Sequence, residues 1–157
     1  MMSACASNAQ KIPIVTAWKN VDLSETNIQK SIKQLQESLN SAAKDMNITN
    51  CGDLSNAQSR QKFLTSLQAM KSLNPALASA ALLAKTQVLG SIQDVRRAAG
   101  ELQIAMTQLV NALPPEQFNP QNPEQERLNR INVEAKGASG LINYAEQIAD
   151  QLQRLGG

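Results

Sequence analysis

The sequence predicts an all-α protein, namely an elongated antiparallel bundle of about four helices preceded by an N-terminal arm. Aromatic residues make up only 3% of the 157-residue chain, and Ala, Leu and Gln are abundant, which favours helix because these side chains lose little rotamer freedom there. Apolar residues also recur at spacings of three and four, as on one face of a helix. We therefore expect residues 1–22 to form an arm or tether and residues 23–157 to form one helical-bundle domain.

The first helix is predicted over residues 24–47. Ser24 is a favourable N-cap, and Leu23 and Ile28 are spaced as a hydrophobic staple around it. Asn, Gly and Asp in the segment NITNCGD then tolerate turn conformations, so the helix is expected to end there. Residues 1–22 lack a clean period, and Trp18 is expected to anchor them on the bundle. The apolar stripe of this helix consists of Ile28, Ile32, Leu35, Leu39, Ala42 and Met46.

Three more helices follow, with clear signals at their ends. The second is predicted over residues 55–73, with Phe63 and Leu67 on its apolar face. Asn74-Pro75 pairs a cap with a proline at the first helical position, so a third helix is expected to begin there. It continues to Leu113, because the prolines of LPPEQFNPQNP exclude helical geometry. Asn122-Pro123 repeats the start signal, and the fourth helix is expected to continue to the terminal Gly-Gly pair.

The third and fourth helices are expected to fold back on each other about Phe118. Their apolar stripes then face each other, with Val88 opposite Ala149. In the same register one run of small residues faces another, which indicates a close helix crossing, a space filled by Trp18 or Phe63, or an apolar cavity for a ligand. The small residues of these two runs are Ala98, Ala99 and Gly100, and Gly137, Ala138 and Gly140.

Composition argues against several classes of function. The formal charge is only +2, and the densest basic pair, Arg96-Arg97, has no aromatic residues around it, so no nucleic-acid partner is predicted. The chain has no histidine, the commonest general base and zinc ligand, and its two cysteines cannot complete a structural zinc site. The glutamates of the fourth helix, such as Glu134, lie off its apolar stripe. We therefore predict no enzyme activity, catalytic residue, metal site or cofactor.

Residues Met2-Ser3-Ala4-Cys5 resemble the lipobox of bacterial lipoproteins, in which an apolar residue and two small residues precede the acylated cysteine. The resemblance covers four residues and implies a processing class, with Cys5 as the lipidation site. Ala6 after the cysteine, in place of Asp, implies anchoring to the outer membrane from the periplasmic side. Two alternatives remain open, namely a secreted protein with a Cys5–Cys51 disulfide and a reduced cytoplasmic protein.

These observations lead to one main hypothesis about function and two alternatives. The main hypothesis is a non-enzymatic lipoprotein of the bacterial cell envelope that serves as an adaptor or protein-binding module for another envelope protein. The first alternative is a carrier of a small apolar ligand or lipid, held in the bundle core near Ala99 and Ala138. The second is a self-assembling structural helical protein, and a homo-oligomer is compatible with the main hypothesis as well.

Overall fold

The computed structural model describes residues 12–49, 52–71, 74–113 and 123–157. Within these residues the chain forms four helices and no strand, which confirms the all-α class and the helical bundle. We name the helices α1 (Ile14–Asp45), α2 (Ala57–Ala69), α3 (Pro75–Ala112) and α4 (Pro123–Gly156). Helix α3 packs against both α1 and α4.

Helix α1 begins ten residues earlier than the sequence predicted. The Ala17 amide donates to the Pro13 carbonyl over 2.9 Å, and Ala17 and Val21 are both fully buried. The apolar stripe therefore extends back through small side chains, which obscure the period in the sequence. Ser24 consequently lies inside the helix, and Leu23 is 62% exposed, so the predicted N-cap and staple at these residues were wrong. Of the predicted arm, residues 14–22 are helical and residues 1–11 lie outside the described residues.

Helix α2 is shorter than predicted and has well-defined ends. The Asn56 side chain caps its first turn by accepting a hydrogen bond of 2.8 Å from the Gln58 amide. At its other end Met70 already has extended backbone geometry, so the helix ends at Ala69. Before it, Asn47 and Gly52 have positive φ values of 60° and 80°, as the turn chemistry of this segment predicted.

The predicted start of α3 is confirmed by its capping contact. The Asn74 side-chain oxygen accepts from the Leu77 amide over 2.9 Å, and Pro75 is the first helical residue. The corresponding cap of α4, Asn122, lies outside the described residues. Buried residues of α3 recur at steps of three and four along its length: Ala81, Ala84, Val88, Ile92, Val95, Ala98, Leu102, Ala105 and Leu109.

The chain divides into two compact units. Unit 1 contains the described residues of Met1–Lys30 and Arg96–Ala138, and unit 2 contains those of Ser31–Val95 and Ser139–Gly157. Helices α1, α3 and α4 contribute residues to both units, whereas α2 belongs to unit 2 alone. In both units the buried side chains of the described residues are all apolar. The prediction of a single domain over residues 23–157 stays a prediction.

Candidate functional site

The lipidation candidate Cys5 lies outside the described residues, as does Cys51. Acylation of Cys5 therefore stays a prediction from the sequence, and so does the alternative disulfide between the two cysteines.

The small residues of α3 and α4 fall into two classes. Ala98 and Ala138 are buried, with exposed fractions of 5% and 2%, and Ala99 is partly buried. Gly100, Gly137 and Gly140 are exposed, and no heavy atom outside the local helix lies within 4 Å of an ideal Cβ at any of them. The alanines thus belong to the apolar stripes, whereas a close helix approach is not the reason for glycine at the other three positions.

The antiparallel register expected for α3 and α4 agrees with contacts inside unit 2. That register places Lys85 within one residue of Gln153, and the Lys85 ammonium donates a hydrogen bond to the Gln153 side chain. The close approach of the two helices occurs at Gly156, where an ideal Cβ would be 2.6 Å from Leu82 Cγ. From the sequence, this glycine is expected only to terminate the helix. Its packing role was missed, because contact between helix ends depends on the register.

Unit 1 contains a polar cluster at the contact of α1 with α4. Asp22 forms an ion pair with Arg127, and the Gln29 amide donates to Glu134 Oε1 over 2.9 Å. Each contact joins a residue of α1 to the residue of α4 that lies 105 positions later in the sequence. Because this separation is the same for both contacts, α1 and α4 run parallel within this unit. We call this set the α1–α4 polar cluster, and its members are Trp18, Asp22, Glu25 and Gln29 on α1 and Arg127, Arg130 and Glu134 on α4.

Trp18 forms the apolar side of this cluster. The Arg127 guanidinium lies over its indole ring, 4.8 Å from the ring centroid. This arrangement combines a cation–π contact with the ion pair between Arg127 and Asp22. The indole Nε1 is buried and has no hydrogen-bond partner in the described structure. Trp18 thus anchors the start of α1, as the sequence predicted, but it does so from within the helix.

Two carboxyl groups approach each other within the α1–α4 polar cluster. Burial is the largest effect that raises the pKa of Glu25 above its ordinary value of 4.5, followed by its hydrogen bond to Glu134 and by the repulsion between the two charges. The positive charge of Arg130 acts in the opposite direction. The Arg127 guanidinium is also 3.9 Å from Glu25. The carboxyl group of Glu25 therefore takes up a proton at a higher pH than it would in the unfolded chain.

In unit 2, polar side chains of α4 donate hydrogen bonds to main-chain carbonyls of α2 and of the residue that follows it. The Tyr144 hydroxyl donates to the Arg60 carbonyl over 2.7 Å. The Arg154 guanidinium donates to the carbonyls of Leu67 and Met70 over 2.8 and 3.0 Å, and it thereby satisfies acceptors at the C-terminal end of α2. These contacts join residues 84 and 87 positions apart, so no local signal in the sequence could have identified them.

The described residues contain neither a candidate metal site nor a candidate membrane-spanning helix. No group of three or more Cys, Asp or Glu residues there is arranged to hold a metal ion. None of the four helices has a stretch that is both apolar enough and long enough to cross a membrane, again for the described part of the chain.

Comparison with known proteins adds no relative. No family model matches the chain, and no curated protein and no solved structure matches it either. A functional hypothesis for this chain therefore depends on its residues and their geometry.

Proposed function

We propose that the protein is a non-enzymatic adaptor of the bacterial cell envelope, tethered by a lipid at Cys5 and binding another envelope protein through its helical bundle. The observation that carries the adaptor role is the composition of the core. All buried side chains of the described residues are apolar, so the interior is used to hold helices together. The tether depends on the lipobox-like residues Met2-Ser3-Ala4-Cys5.

Exposed apolar side chains support the binding part of the proposal. Val15 is 80% exposed, Val133 is 69% exposed and Leu83 is 66% exposed, although each is on a long, regular helix. Removal of such side chains from water by another apolar surface is favourable. A partner protein that contacts one of these helices would provide that cover.

The tether is tested by metabolic labelling. When the full coding region is expressed in a bacterial host with labelled palmitate, label is expected in the wild-type protein and not in Cys5→Ser. An unlabelled wild-type protein would argue against the tether and leave the bundle's binding role open.

The adaptor role is tested by photo-crosslinking in the same cells. A crosslinking amino acid at Val15, Leu83 or Val133 is expected to give a discrete adduct with one envelope protein. The same amino acid at Glu37, which is exposed and polar, serves as the control. No adduct at any of the three apolar positions, or the same adducts at Glu37, would count against an adaptor.

A further inference from the structure

Helix α2 is the shortest helix of the described structure and an addition to the other three. It has 13 residues, whereas α1, α3 and α4 have 32, 38 and 34. Helices below roughly 12–15 residues are marginal in water without tertiary contacts. In unit 1, segments of α1, α3 and α4 form a compact body that does not contain α2. In unit 1, segments of these three helices therefore pack together without α2.

One stripe of α4 changes its chemistry between the two units. Residues seven apart lie on the same face of a helix in a bundle. In unit 1 this stripe carries Arg127 and Glu134, which are polar and partly exposed. In unit 2, which contains α2, the same stripe carries Leu141, Ile148 and Leu155, which are all buried. The stripe is thus apolar only in the unit that also contains α2.

The hydrogen bonds from α4 to α2 depend little on which side chains α2 carries. Tyr144 and Arg154 donate to main-chain carbonyls, which any helix in this position would present. The selective contribution of α2 is its buried face of Phe63, Leu64 and Leu67. A helix with an aromatic residue followed by leucines one and four positions later would therefore make equivalent contacts.

We propose that α2 is a releasable helix and that the position it occupies in unit 2 binds an amphipathic helix of a partner protein in its place. This inference rests on the adaptor role proposed above and names the partner's chemistry. Release alone would expose the apolar side chains against which Phe63, Leu64 and Leu67 of α2 pack, which is unfavourable. A partner helix covers them again, so exchange is favoured only when that helix carries an apolar face like that of α2.

The release step is tested by hydrogen exchange on the intact wild-type protein. The amides of Leu64–Leu67 in α2 are expected to exchange at least tenfold faster than those of Ala145–Ile148 in α4, through a local opening. Equal rates for the two segments, set by global unfolding, would overturn the proposal without bearing on the crosslinking result.

The exchange step is tested with a fluorescent peptide that carries the sequence of residues 56–71. Leu67→Ala in the protein weakens α2 in its own position and leaves the α4 stripe intact, so the peptide is expected to bind this variant at least tenfold more tightly than it binds wild type. The matched control protein is Lys62→Ala, which changes an exposed residue of α2 and is expected to bind as wild type does.

Two outcomes would overturn the proposal that a partner helix can replace α2. One is equal binding of the peptide to wild type and Leu67→Ala, which would place it elsewhere on the protein. The other is equal binding of a second peptide that carries Phe63→Gln and Leu67→Gln, which would mean that the apolar face is not recognised. Circular dichroism of Leu67→Ala checks that it is folded, and the hydrogen-exchange test remains decisive if it is not.

Discussion

Gly156 on α4 lies directly against Leu82 on α3. An ideal Cβ at Gly156 would be 2.6 Å from Leu82 Cγ and 2.9 Å from the carbonyl oxygen of Ala78. The Leu82 side chain can rotate away, but the carbonyl belongs to the helix backbone and cannot. The C-terminal turn of α4 therefore approaches the first turns of α3 at a distance that only glycine permits.

Gly156→Ala is accordingly expected to destabilise the protein. Alanine has the better helix propensity, but near the end of a helix this gain is small, and overpacking against a backbone atom costs about 1–3 kcal/mol. We expect the free energy of unfolding, measured by urea denaturation, to fall by about 1 kcal/mol. An unchanged or increased stability would mean that the two helices do not meet at this residue.

Gly137→Ala and Gly140→Ala are expected to have the opposite effect. Both glycines lie within α4, and nothing lies within 4 Å of an ideal Cβ at either position. Each substitution should raise the free energy of unfolding by about 0.5–1 kcal/mol, the usual advantage of alanine over glycine inside a helix. Destabilisation by either substitution in the same urea experiment would instead favour the close crossing that the small-residue run suggested.

Local signals made much of the fold predictable. The start of α3 could be predicted because Asn74 acts on an amide three residues away. The partner face of α3 could be predicted because its apolar spacing persists through most of the helix. The start of α1 could not, since the exposed apolar residues Ile14 and Val15 stand close to the buried Ala17 and obscure the period.

Long-range contacts explain why the sites were harder to predict. The approach of Glu25 to Glu134 depends on a parallel pairing of the first and last helices, which no spacing in the sequence encodes. The glycines of the small-residue run were misleading for a different reason. Composition shows that a side chain is small, whereas the rotation of the helix decides whether it points inward, and Gly137 points outward.

Arg127→Lys is expected to lower the free energy of unfolding slightly, because it keeps one of the two contacts of this side chain and removes the other. Lysine keeps the positive charge beside Asp22 but loses the planar group that lies over Trp18. Since Arg127 is 35% exposed, the loss should stay below about 1 kcal/mol. Trp18 is the only tryptophan, so its fluorescence reports on this cluster, and its emission should change in the native state. Arg96→Lys on α3 is the control, and equal spectra for all three proteins would contradict the contact.

Tyr144→Phe is expected to loosen α2 without disturbing unit 1. The substitution keeps the ring and removes the hydroxyl that donates to the Arg60 carbonyl. A net loss of about 0.5–1.5 kcal/mol in the free energy of unfolding is typical for one such hydrogen bond. Hydrogen exchange should show faster exchange in α2, whereas the amides near Trp18 should keep their rates. Faster exchange throughout the chain would mean that α2 does not open locally.

Glu25→Gln is expected to stabilise the protein at neutral pH and to have little such effect in acid. The folded-state pKa of Glu25 is raised above 4.5 by burial and by Glu134, so above that folded-state pKa its ionised carboxyl destabilises the folded state. Below 4.5 the group is protonated in the folded and the unfolded chain, and the penalty disappears.

The stability difference between Glu25→Gln and wild type should therefore grow as the pH rises from about 4.5 through the folded-state pKa, because glutamine keeps a donor for Glu134 and has no charge to repel it. Urea denaturation between pH 4 and pH 8 measures this difference. Hydrogen bonds from Ser55 lower the pKa of Asp53 below 3.8, so Asp53 affects the pH dependence of stability in the opposite sense. Both proteins contain Asp53, so its contribution cancels in the difference between their free energies of unfolding. Glu37→Gln, an exposed change on the same helix, should show no such growth. A difference independent of pH would mean that the two carboxyl groups do not interact in the folded protein.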